Sequence, residues 1–405
     1  MNGNQVAITG LGIITPAGNN LKENWKTVLA GKTQANFDPI LDNCPVNISC
    51  RVKGFDALDT KISKPWFWDN YAKFAQIATL EALDNAGLDS DSWTDPTRVA
   101  VLIGSGAGGT ETLEEQHQAM LEGGADDLSP LTLPMGLLNM AAGQVAIEIK
   151  AYGPCFSPCS ACASGATAIG LGKYLINNGI ADVVIAGGAE AAVTPFYVSS
   201  FARMKTLSPN PDPTIASRPF DCDRDGFVIG EGAGIFVLES LEHAKRRDAD
   251  IKGYLQGYGF SADAYHVTTP HPEGKGANTA MLAALKDACC SASDVGYVNA
   301  HGTSTIGNDV TESQAIKKIF GDNISVSSTK GVTGHLLGAG GAIEAIYTLL
   351  AIRDNTLPVT ANLKKLDSNI SLDVISGESR EKAIKLGLSN SFGFGGQNAS
   401  LLFSC

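Results

Sequence analysis

Residues 155–175 read CFSPCSACASGATAIGLGKYL. A proline- and serine-containing stretch leads to Cys162 and then into a run of small residues, 166–178, whose helical spacing stops at Gly179. A turn that presents a nucleophile at the start of a helix resembles a nucleophile elbow, a device of α/β proteins. At a helix N-terminus the cysteine faces the positive end of the macrodipole and unpaired N–H groups, which favours the thiolate. Ala161, Ala163, Ser164 and Gly165 leave little bulk around the sulfur. Cys155, Cys159 and Cys162 also have the C-x3-C-x2-C spacing of iron–sulfur ligands, a weak signal when spacing stands alone.

Working outward, short apolar runs bounded by glycine recur at 6–12 (VAITGLG), 98–106 (RVAVLIGSG), 181–190 (ADVVIAGGAE) and 234–240 (GIFVLES). Continuous β-branched runs of this kind suit strands covered on both faces. Residues 71–86 have helical spacing and end at Gly87. After residue 247 the alternation resumes, and 385–404 (KLGLSNSFGFGGQNASLLFS) reads as two strands around a glycine-rich turn. The reading is an α/β protein of two successive halves, 1–247 and 248–405, divided near the charged stretch EHAKRRDAD at 242–250.

The chain has 405 residues, 44% hydrophobic and 18% charged, enough for a deep site inside a globular body. A net charge of −12 argues against nucleic-acid binding, which needs clustered Lys and Arg. The N-terminus has no basic segment before its apolar residues, and no run is long enough to span a bilayer, so cytoplasm is the expected compartment and no membrane the expected partner. Nine cysteines without a secretion signal read as free thiols.

Two further segments carry chemistry. In 297–313 (YVNAHGTSTIGNDVTES) a β-run delivers His301 into a turn followed by Thr303, Thr305 and Asp309. In 326–345 (VSSTKGVTGHLLGAGGAIEA) Lys330 and His335 precede a glycine- and alanine-rich helix bearing Glu344. Taken singly, either histidine is an ordinary structural residue. Together with Cys162 they supply a thiol, two imidazoles able to donate to a developing enolate oxygen, and a fixed positive charge. In 390–398 (NSFGFGGQN) Phe394 lies between glycines, where its N–H serves an oxyanion and its ring gates a pocket.

With these residues in view the chain resembles the β-ketoacyl-[acyl-carrier-protein] synthases, the condensing enzymes of fatty-acid and type II polyketide synthesis. The match runs from VAITGLGIITPAGN (6–19) to GFGGQNASLLF (393–403), through SACASG, RPFDCDRDGFVIGEGAG (218–234), HGTST and KGVTGH. The resemblance implies a thiolase-like fold of two related halves in α-β-α-β-α layers, and a dimer, either of two copies or with a chain-length-factor-like subunit. It implies that Cys162 accepts an acyl chain from acyl-carrier protein, and that His301 and His335 assist decarboxylation of malonyl-carrier protein. The N–H groups of Cys162 and Phe394 then hold the thioester oxyanion, Lys330 and Glu344 organise the histidines, Asp309 gives structural support, and Thr303 and Thr305 line the pantetheine path. No metal and no bound cofactor is implied, because the carrier protein brings the phosphopantetheine.

Carrier proteins of this pathway are acidic, so an acidic enzyme needs a local basic patch, for which Arg203 and Lys205 (SFARMKTLS, 200–208) are the candidates. Two stretches depart from the usual elongating pattern: IGND follows HGTST where a proline-containing form is common, and GGQN replaces a form with threonine before the asparagine. A ketosynthase subunit of a polyketide or aryl-polyene system therefore stays open as an alternative. A catalytically silent chain-length subunit is a further one, against which the intact Cys162 speaks.

Overall fold

The computed structural model describes residues 5–55, 58 and 61–405. Eleven strands form one sheet: β1 (Val6–Ile14), β2 (Val99–Gly104), β3 (Cys155–Phe156), β4 (Val183–Glu190), β5 (Gly232–Ser240), β6 (Gly253–Ala262), β7 (Val295–Asn299), β8 (Ser325–Ser327), β9 (Asp373–Val374), β10 (Leu386–Gly393) and β11 (Gln397–Ser404). Their spatial order is β9-β8-β7-β10-β11-β6-β1-β5-β4-β2-β3.

This order contains a repeat. Outward from β1 run β5, β4, β2 and β3; outward from β6 run β11, β10, β7 and β8. With the two-residue edge strand β9 set aside, each half has five strands, the first lying beside the fifth, followed by the fourth, second and third. The pairing senses repeat as well: two antiparallel ladders followed by two parallel ones. Antiparallel pairing of Val6–Ile8 with Gly253–Leu255 joins the halves into one sheet. The repeat supports a proposed division into 1–247 and 248–405.

Six helices complete the layers: α1 (Asn70–Ala86), α2 (Met140–Glu148), α3 (Ser164–Asn177), α4 (Lys275–Asp287), α5 (Ile306–Phe320) and α6 (Leu337–Arg353). Because successive strand residues point to opposite faces, β5 sends Ile235 and Val237 into an outer core with Tyr71, Phe74 and Val145, while Phe236 and Leu238 enter a central core with Ile169 and Ile343. A third core, with Met281, Leu285, Val298 and Ile316, lies under α4 and α5. The layers are thus α1 and α2, sheet, α3 and α6, sheet, α4 and α5, which is the α-β-α-β-α thiolase-like arrangement. Helix α6 is buried from Leu337 to Ile352, as a helix without a polar face must be. It can cross α3 closely because Gly165 has no Cβ; one there would come within 2.9 Å of Ala342 Cβ and 3.0 Å of Gly338 O.

The charged stretch between the halves has a structural role. Glu239, fully buried at the end of β5, accepts from Thr9 and Arg247 and pairs with His243. Burial opposes its charge, yet these hydrogen bonds hold it down at about 2. Its contribution to stability is therefore present above the ordinary glutamate range and is lost as pH falls through about 2. In denaturant titrations at a series of pH values, Glu239→Gln should cost about 3 kcal/mol at pH 7 and flatten the acid limb; an unchanged acid limb would place the titration elsewhere.

Candidate active site

Cys162 sits on a short 3-10 turn, Ala161–Ala163, immediately ahead of α3. Ala161 has φ +49°, a left-handed conformation that a residue with a Cβ adopts only under constraint. The constraint is local: Ser164 Oγ donates to Ala161 O and accepts the Ser160 N–H. From the other side Gly393 presses in, where a Cβ would come within 2.4 Å of Ser160 O and 3.2 Å of Cys162 N. The elbow is real, although β3 ends well before it rather than feeding it directly. Cys162 is buried with Leu41, Val193, Val198 and Leu337, while Cys155 and Cys159 are exposed, so one cysteine of the three faces the interior.

The Phe394 N–H points at the Cys162 sulfur. Burial pushes the thiol up to about 12, opposed by the Lys330 charge and by this N–H and reinforced by Glu190. The expected thiolate is therefore a thiol in the free protein: desolvation outweighs the helix N-terminus. This is compatible with thioester exchange, in which the proton lost by the attacking sulfur is taken up by the leaving one.

His301 follows β7, and its turn is held by Glu312, whose two oxygens accept the N–H groups of His301 and Gly302, both at 2.8 Å. His335 precedes α6, and its ring packs edge-on against Phe227 and against His301, with centroids 5.1 and 5.3 Å apart. Burial lowers both histidines well below their ordinary value, with the Lys330 charge adding to it, so both are neutral at pH 7. Lys330 is fully buried, donates to His301 O at 2.6 Å, lies 3.5 Å from His301 Nδ1 and forms an ion pair with Glu344. An ammonium only donates, so His301 Nδ1 is the unprotonated nitrogen and its proton sits on Nε2.

A cavity of about 600 Å³ is lined by Cys162, His301, His335, Phe394, Thr303 and Thr305, among others. Lys205 lies at its rim, whereas Arg203 is exposed outside it. Lys330, Glu344 and Asp309 do not line it. Lys330 and Glu344 stand behind His301, and Asp309 is buried deeper, accepting the Phe220 N–H at 2.9 Å and facing Arg224. Thr303 and Thr305 share a hydrogen bond at 2.9 Å. Phe394 also meets Phe201, whose centroid is 6.3 Å away.

Residues 3–244 match the family model of the beta-ketoacyl synthase N-terminal domain, and residues 252–364 that of the C-terminal domain. The chain belongs to the beta-ketoacyl synthase family. It is 46% identical over 410 residues to the 3-oxoacyl-[acyl-carrier-protein] synthase 2 of Synechocystis, covering 98% of this chain and 97% of that one. Among solved structures, the ishigamide ketosynthase/chain length factor superposes with TM-score 0.93 at 31% identity, covering 99% of each chain. A type II polyketide ketosynthase in complex with its acyl-carrier protein superposes with TM-score 0.92 at 32% identity, covering 100% of each. As a β-ketoacyl synthase the protein is a condensing acyltransferase. Among its described residues no helix is long and apolar enough to cross a membrane.

Sequence reading missed several residues around the site of this β-ketoacyl synthase. Glu190 and Glu312 are buried carboxylates that clamp site loops, and Arg224 donates to the carbonyls of Thr305 and Ile306. A signal existed for Glu190, a charge that ends an apolar strand run, and for Arg224, inside the 218–234 motif. Phe227 lies in the same motif, but an aromatic beside a glycine has no spacing of its own to single it out.

Proposed function

We propose that this β-ketoacyl synthase lengthens acyl chains by decarboxylative condensation, with Cys162, His301 and His335 as its reacting groups. The observation that carries the reading is one buried sulfur, faced by the Phe394 N–H, in the same cavity as two neutral imidazoles. Cys162 Sγ attacks an acyl thioester on the phosphopantetheine of an acyl-carrier protein. The new carbon–sulfur bond replaces the old one, and the Cys162 proton leaves on the pantetheine thiol. A malonyl thioester then loses CO2, and the electron pair of the broken carbon–carbon bond passes into an enolate. Donors aimed at that oxygen, including His301 Nε2–H, lower the barrier. The carbanion attacks the acyl-cysteine carbonyl, whose oxyanion the N–H groups of Cys162 and Phe394 hold. Expulsion of the cysteine sulfur, followed by uptake of one proton, restores the thiol.

Lys330 and Glu344 act through His301 rather than on substrate. The hydroxyls of Thr303 and Thr305, in the same cavity as Phe394, suit a pantetheine arm, which alternates amides with methylenes. No resident cofactor or metal enters any step. The outermost strand β3 leaves Cys155 and Phe156 exposed, near exposed Ile147 and Tyr152, which supports association through this edge with a second copy or with a chain-length-factor-like subunit. The 46% identity to a 3-oxoacyl-[acyl-carrier-protein] synthase 2 favours the elongating reading, while the superposition on a type II polyketide ketosynthase and on a ketosynthase/chain length factor keeps the polyketide or aryl-polyene pathway as the second one. The intact cysteine site speaks against a silent subunit.

The deciding experiment is mass spectrometry of the protein after incubation with an acyl-carrier thioester: an acyl adduct on Cys162 is expected, and none on any cysteine would end the proposal. Carrier docking is assigned to Arg203 and Lys205. Reversing both charges should raise KM for carrier-borne substrate roughly 10-fold or more, the range of lost electrostatic steering, while alkylation of Cys162 by iodoacetamide continues at the original rate. An unchanged KM would move the docking site elsewhere.

A further inference from the structure

Glu190 ends β4 and is fully buried. Its Oε1 accepts from Ser105 Oγ at 2.8 Å and from the Ala107 N–H at 3.1 Å; its Oε2 accepts from the N–H groups of Gly106 and Gly338, both at 2.9 Å. Three of these four donors are backbone N–H groups, which cannot accept, and Ser105 Oγ is itself occupied by the Gly108 N–H. Burial pushes the carboxyl up, while these four donors favour its ionised form.

The donors come from both halves of the chain. Residues 105–107 follow β2, and Gly338 lies in the first turn of α6, three residues after His335, where no side chain caps the helix. The junction has no spare room. A Cβ on Gly338 would come within 2.4 Å of Gly106 N and 2.7 Å of Glu190 Oε2, and one on Gly106 within 3.0 Å of Oε2 and 3.7 Å of Ala161 O. The carboxylate thus joins the 105–107 turn to the start of the His335 helix, and the strand end feeding that turn presses on the Cys162 elbow, where a Cβ on Gly104 would come within 2.4 Å of Ser164 O.

We propose that Glu190 is a positioning residue for condensation, which ties the Cys162 elbow to the helix that follows His335 so that acyl-cysteine and enolate meet in one geometry. The inference rests on the roles assigned above to Cys162 and His335. It separates two half-reactions. Acyl transfer needs the elbow alone, whereas condensation needs elbow and histidine together. The negative charge also bears on the sulfur, reinforcing the burial that holds it as a thiol.

The test compares Glu190→Asp, which keeps the charge but shortens the bridge, with Glu190→Gln, which keeps the length and removes the charge. Glu190→Asp should load acyl groups onto Cys162 at close to the original rate yet condense on the order of 10²-fold more slowly, the effect of an ångström of misplacement. Glu190→Gln should shift the pH profile of Cys162 alkylation by iodoacetamide to lower pH. Ser105→Ala removes one donor and should move condensation in the same direction by less, and it serves if neither glutamate variant folds. Condensation at the original rate in the folded variants overturns the inference, and so does parallel loss of both half-reactions. Loading of the unmutated protein is the control: if Cys162 takes no acyl group there, the functional assignment fails first and this inference with it.

Discussion

Cys162→Ala protein takes up no acyl group and condenses roughly 10⁴- to 10⁶-fold more slowly than the unmutated enzyme, the range found when a catalytic nucleophile is removed. Among the described residues no other cysteine lines the cavity. Cys155 and Cys159 are exposed, and Cys50 is buried with a pKa pushed far up by desolvation. The variant should fold, because alanine in a turn already built of Ala161 and Ala163 removes only one sulfur. Decarboxylation of a malonyl thioester should persist, since it calls on His301 and His335 and not on the sulfur. Product CO2 measured beside acyl adduct separates the two steps, and a Cys162→Ala enzyme that still elongates acyl chains would remove the basis of the mechanism.

Lys330→Met is expected to damage both stability and rate, for two distinguishable reasons. Lys330 and Glu344 are an ion pair with almost no solvent contact. Burial already pushes Glu344 up to about 7, and the lysine charge opposes that rise. Without the cation the carboxylate is left buried and uncompensated, a loss of about 3–5 kcal/mol. Because that penalty belongs to the charged form and loss of the cation raises Glu344 further above about 7, the deficit should be largest in alkaline buffer and shrink as pH falls towards 7 and Glu344 takes up a proton. The rate should fall on the order of 10²–10³-fold, since His301 loses the group that keeps its proton on Nε2, a donor worth that much when it faces a developing oxyanion. Adding Glu344→Gln should restore most of the stability and none of the rate. Urea unfolding and steady-state condensation read the two effects separately; a double variant no more stable than Lys330→Met would show that the pair is not the source.

The long strands of the first half were legible because they are glycine-bounded runs of apolar residues buried on two faces, as with Val183–Glu190 and Gly232–Ser240. Helix α1 was legible through its spacing and the Gly87 stop, which adopts φ +66°. The site was legible in its reacting groups because a nucleophilic cysteine, two histidines and a lysine are chemically conspicuous in small-residue turns. Strand β3 was not: two residues, Cys155 and Phe156, carry no periodicity.

Local pattern, then, was sufficient for the α/β class, for the elements that carry Cys162, His301 and His335, and for the family they indicate. It could not reveal that the two halves repeat one strand order, because a topology can recur without its residues recurring. Nor could it reveal the protonation of the sulfur, since the helix N-terminus is a local effect whereas desolvation comes from Leu41, Val193 and Leu337, far away along the chain. The Glu190 junction belongs with these: its donors are separated by more than two hundred residues and meet because glycines let two backbones approach where a side chain would not fit.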